Sequence, residues 1–152
     1  MMDIFQQIHS GNWENVRQMI AESPDVVHRL DVAGNNILQT AIVSDADLQL
    51  INLLLRRGVE VNQVNTTGNS PFYFAVWKRT DPGIIESLLA KGAYVNESFH
   101  KQREILELCA QYNPKVDILK LLIHAGGIPK PDKTRQTLLH RAALLGNTCI
   151  EI

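Results

Sequence analysis

The sequence predicts an all-α solenoid, a stack of similar helix-turn-helix units joined by hairpin-like turns, and three observations carry that expectation. The first is a fixed period: Gly58, Gly92 and Gly126 are 34 residues apart, Ala41, Ala75, Cys109 and Ala142 are 34, 34 and 33 apart, and Asn62 and Asn96 are again 34 apart. Units of that length cannot bury their apolar faces alone and do so by stacking on one another. The second is punctuation, since each recurring Gly closes an apolar segment of helical spacing, where the left-handed geometry of a helix end favours glycine. The third is composition: 152 residues, 45% hydrophobic and 20% charged, suit one domain with a continuous core.

The unit is most legible from Gly68 to Asn96. Gly68 and Ser70-Pro71 predict a turn and then a helix, because proline at the first helical position has no N–H to leave unpaired and a φ already suited to the helix. That helix should reach about Trp77, and its apolar residues Phe72, Phe74, Ala75, Val76 and Trp77 are too dense for one buried stripe, so neighbours must cover more than one face. Asp81-Pro82-Gly83 interrupts it. A second helix resumes with Ile84, Ile85, Leu88 and Leu89, ends at Gly92, and Tyr94-Val95-Asn96 leads into the next turn.

The other units follow in order. Residues 1–30 form a degenerate, capping-type first copy: Asp3 to Ile8 starts a helix, Ser10-Gly11-Asn12 turns it, and Trp13, Val16, Met19 and Ile20 stripe a second helix. Gln6, Gln7, Asn15, Arg17 and Gln18 are expected on its outer side, because a terminal unit must meet water on one face. Ser23-Pro24-Asp25 should close it, with Val26 to Leu30 running into the next turn. Residues 31–63 are the first full copy, with its turn at Asp31 to Asn36 and a second helix containing Leu48, Leu50, Ile51, Leu53, Leu54 and Leu55, closed by Gly58. Residues 64–97 are the second. Residues 98–131 are the third and depart most, since Phe99-His100-Lys101-Gln102-Arg103 fills the turn without glycine; helices are expected at Ile105 to Tyr112 and Val116 to His124. Residues 132–152 make an incomplete last copy. Leu54, Leu88 and Leu121 are the residues expected between successive outer helices.

At this point the phrases GNSPFYFAV, LINLLLRRGVEVN, IIESLLAKGAYVN, ILKLLIHAGG and QTLLHRAALLGN resemble ankyrin repeats, whose pattern is a Gly-containing turn, T-P-L-H-x-A-A, and a second helix ending L-L-x-x-G-A-D-V-N. The resemblance covers essentially the whole chain and is specific for fold, while the family serves as a scaffold for many unrelated partners. In three copies the distance from the start of the first helix to the glycine that closes the second (Ile37 to Gly58, Pro71 to Gly92, Ile105 to Gly126) is 21. That is one residue longer than the family spacing, and the excess falls in the loops at Ser44 to Asp47, Arg79 to Pro82 and Tyr112 to Lys115. His140, in the phrase TLLH, is implied to make a structural hydrogen bond.

Catalytic chemistry finds no footing in the residues. Gly126-Gly127 is an isolated pair and not a phosphate-binding loop, and the histidines lack the paired spacing of a metal-binding helix. Asp45 and Asp47 read as solvated or helix-capping carboxylates, and Cys109, where other copies have alanine, reads as a small core residue. A formal charge of −1 with scattered basic residues predicts neither nucleic-acid binding nor attraction to an anionic membrane. No apolar run is long enough for a membrane span, and no secretory signal is visible. The expectation is therefore a noncatalytic cytoplasmic protein without metal or cofactor, or one delivered into a host cell if the source is a bacterial pathogen.

Binding chemistry remains. The resemblance implies that a protein partner contacts the turn tips and a concave groove lined by the first helices. The tips are Val32, Ala33 and Asn35; Thr66, Thr67 and Asn69; His100, Lys101 and Arg103; and Lys133, Thr134 and Gln136. The groove positions are Val43 and Ser44, Trp77 and Lys78, Gln111 and Tyr112, and Leu144 and Leu145. Trp77 and Tyr112 stand out, because these residue types dominate interface hot spots, at about 2 kcal/mol or more each. Alternatives stay open: a targeting domain of a larger enzyme or bacterial effector whose catalytic part lies beyond residue 152, or an inhibitor or immunity-type protein. The last copy stops shortly after Gly146-Asn147, so its apolar residues predict further chain, self-association through that end, or fraying after about Pro131.

Overall fold

A computed structural model describes residues 2–78, 81–95, 98–99, 103–104, 109 and 116–126. The class is all-α. Among the described residues seven α-helices run in order: α1 Ile4–His9, α2 Trp13–Glu22, α3 Ile37–Val43, α4 Leu48–Arg56, α5 Pro71–Trp77, α6 Pro82–Ala90 and α7 Val116–His124. A 3-10 helix, Pro24–His28, follows α2 where the sequence predicted only a link, and it buries Val26 and Val27.

Local chemistry sets the helix starts. Ser70 accepts the Tyr73 N–H at 3.2 Å ahead of Pro71. Asn36 accepts the Gln39 N–H at 3.0 Å while Gln39 accepts the Asn36 N–H at 2.7 Å, a reciprocal box that satisfies two otherwise orphaned donors. Asp47 accepts the Leu50 N–H at 2.7 Å and Asp81 the Gly83 N–H at 2.7 Å. The ends are set by Gly58, Gly92 and Gly126, all at positive φ (83°, 88° and 96°), a region that costs an L side chain energy and a glycine none.

Two layers result. Helix α1 packs on α3 and α3 on α5; α4 packs on α6 and α6 on α7; within pairs α1 meets α2, α3 meets α4 and α5 meets α6. One continuous apolar core runs between the layers, with Ile37, Leu38, Leu50, Ile51, Leu54, Phe72, Ile85 and Leu88 fully buried. Burial of that size, at roughly 25 cal/mol per Å² of apolar surface, is the main stabilising term. Three expectations need correction. Leu122 is the fully buried member of the series Leu54, Leu88, Leu122, while Leu121 is half-buried; Leu122 keeps the 34-residue register and Leu121 misses it by one residue, which is 100° around a helix. Gln7 is buried and not on the outer side, because α1 is covered by both α2 and α3; its side-chain oxygen accepts Asn15 Nδ2 at 3.2 Å. Arg17, also expected outside, is half-buried and paired with Asp47.

The connecting turns repeat atom for atom. Asp31 Oδ1 accepts the Ala33 and Asn35 N–H groups at 2.8 and 2.9 Å, and Asn65 Oδ1 accepts those of Thr67 and Asn69, both at 3.0 Å. Each side chain thus mimics a backbone turn. Leu30 bridges to Asn36 in antiparallel fashion. In the third copy β1 (Ser98–Phe99) pairs antiparallel with β2 (Arg103–Glu104), with Ser98 opposite Glu104, two periods beyond Leu30 and Asn36. Cys109 is fully buried, and burial pushes its thiol up to about 12.

Candidate recognition surface

Short inner helices determine what the surface displays. In α3, Ile37, Leu38, Ala41 and Ile42 face the core, which leaves Val43 as the last residue of the helix and exposed. In α5, Phe72, Ala75 and Val76 are fully buried, and Trp77 ends the helix with 44% of its surface exposed. Val43 and Trp77 are 34 residues apart on helices packed side by side, so an aliphatic and an indole side chain occupy corresponding ends of neighbouring units. Behind Trp77, the half-buried rings of Tyr73 and Phe74 meet edge to face with centroids 5.6 Å apart.

Lys78 caps α5, its N–H donating to the Phe74 carbonyl at 2.8 Å. Its ammonium reaches back across one unit to Asp45, with Nζ 3.2 Å from Oδ1. Ser44 is half-buried beside it. The loop from Ser44 to Asp47 therefore faces two ways, because Asp47 Oδ2 lies 2.7 Å from Arg17 Nη2 on the preceding unit. The Leu50 N–H, opposed by partial burial and reinforced by Arg17, holds the Asp47 carboxyl below its ordinary range. Ala46, between the two carboxylates in sequence, is buried, and its N–H donates to the Ala41 carbonyl at 3.0 Å as that of Asn12 donates to Gln7 at 3.0 Å one unit earlier.

At the turn tips Val32, Ala33, Thr66 and Thr67 are exposed. Asn35 and Asn69 are half-buried: within their turns Asn35 Nδ2 donates to Asp31 Oδ2 and Asn69 Nδ2 to Thr67 Oγ1, both at 3.0 Å, and Asn35 Oδ1 accepts Asn65 Nδ2 of the next unit at 2.8 Å. Thr66 is also anchored, its N–H and Oγ1 both donating to the Ala33 carbonyl, at 3.0 and 2.9 Å. Arg103 is placed in β2 opposite Phe99. His100, Lys101, Gln111, Tyr112, Lys133, Thr134, Gln136, His140, Leu144 and Leu145 lie outside the described residues.

The structure adds residues that the sequence reading passed over. His9 ends α1, is exposed, and stands 34 residues before Val43; the same period that picked Val43 and Trp77 would have found it. Leu30 and Val64, again one period apart, are 50% and 45% exposed on the turn arms, and Tyr94 is 57% exposed. Only burial reveals these, since an exposed aliphatic in a strand-like arm has the same local pattern as a buried one.

Among the described residues no group of His, Cys, Asp and Glu is arranged to hold a metal ion; Asp45 and Asp47 turn to different cations. No helix among them is long and apolar enough to cross a membrane. Comparison of the sequence with protein-family models and with curated proteins finds no match.

Proposed function

We propose that the chain is an ankyrin-type solenoid that acts as a noncatalytic protein-recognition module, contacting a protein partner through the ends of its inner helices and its turn tips. The observation that carries the reading is Trp77: a large aromatic residue 44% exposed at the end of a well-packed helix, in line with exposed Val43 on the neighbouring helix. An indole that is left in water on a rigid element supplies contact area with little loss of side-chain freedom, which is why tryptophan dominates binding hot spots. The anchored tips, with Thr66 tied to Ala33 and Asn65 to Asn35, support the same reading, because preorganised contact groups cost less entropy on association.

The test is a crosslinking pull-down with the wild-type chain and Trp77→Ala as parallel baits, followed by affinity measurement on whatever protein the wild type captures selectively. The variant should bind at least about tenfold more weakly while its helical content is unchanged. Equal affinity of the two baits for that protein overturns the assignment of the surface.

A further inference from the structure

We draw no further inference here: the strongest candidate, the exposed face at the ends of α3 and α5 formed by Val43 and Trp77 and bordered by the Asp45–Lys78 ion pair, belongs to the surface already described, and nothing in the structure shows what covers it.

Discussion

Asp45 adopts a left-handed backbone, φ 63°, at the position where Gly11 adopts φ 70° one unit earlier. The two residues are 34 apart and both follow the end of an inner helix. The chain must reverse there in a conformation that costs most L residues roughly 1–2 kcal/mol. Aspartate is among the residues that tolerate this geometry, and here its carboxylate also meets Lys78.

That relationship predicts an ordering of variants. Asp45→Ala should lower stability by about 1 kcal/mol, since alanine tolerates the left-handed region less well than aspartate does. Asp45→Gly should stay within about 0.5 kcal/mol of wild type, because the exposed ion pair it removes is worth little and the backbone is relieved. Urea denaturation distinguishes them; equal losses in the two variants would show that the backbone at this position is not limiting.

The core register gives a second expectation. Leu88→Ala and Leu122→Ala should each cost about 2–5 kcal/mol, as for other fully buried leucines, with Leu121→Ala costing distinctly less because Leu121 is half-buried. Chemical denaturation of the three variants checks this, and a larger loss at Leu121 than at Leu122 would reverse the assignment of the interface.

Gln39 is fully buried yet joins two units: its Oε1 accepts the Asn36 N–H and its Nε2 donates to the Asn69 carbonyl at 2.7 Å. Gln39→Leu preserves much of the volume and strands both partners, each at about 1–3 kcal/mol. The expected result is a loss of at least about 2 kcal/mol and faster amide exchange at the start of α3. A near-neutral variant would mean that water reaches these groups.

Asp47 sets a pH expectation. Its folded carboxyl is held below the ordinary value of 3.8, first by the Leu50 N–H and then, against partial burial, by Arg17. Such a group contributes stability that is present above the unfolded value and lost as pH falls through the depressed folded one. Asp47→Asn keeps a capping acceptor and removes the charge, so wild type should be the more stable at pH 7 and the difference should fade as pH drops below 3.8 and through the depressed folded value. The side chain is 50% exposed, so solvent screening limits the effect to below about 1 kcal/mol. A difference that persists unchanged in acid would assign it to the cap instead of the charge.

Helix identity was legible wherever punctuation and periodicity agreed. The spacing of Pro71, Trp77 and Gly92 predicts α5 and the end of α6, and Val116 to His124 matches α7. The 3-10 helix at Pro24–His28 was not legible, because Val26-Val27 has no period of its own and its burial comes from α2 packing over it. Gln7 is buried although its polarity predicts exposure, because a carboxamide with a partner is readily buried. For the candidate surface, the period located Val43 and Trp77, but the division of the tip residues into contacts and braces was invisible: Thr67 and Asn69 have similar polarity and both are hydrogen-bonded into the turn, and only burial separates the exposed Thr67 from the half-buried Asn69.

The bonds that cross from one unit to the next also bear on how such a chain can change length. Asn65 serves Asn35, Thr66 serves Ala33, and Asn62 donates to the Gly92 carbonyl while accepting the Tyr94 N–H; every one of these spans 30 to 33 residues. A deletion of one whole period, such as residues 37–70, would join Asn36 directly to Pro71 and place a capping side chain in front of a helix that already begins with proline. Within these turns, removing or adding a number of residues that is not a period would leave donors of one unit facing the wrong atoms of the next. There, growth and loss by whole units keep the bonds between neighbours intact, while the inter-helix loops, one residue longer at Ser44 to Asp47 than at Ser10 to Asn12, accept single insertions.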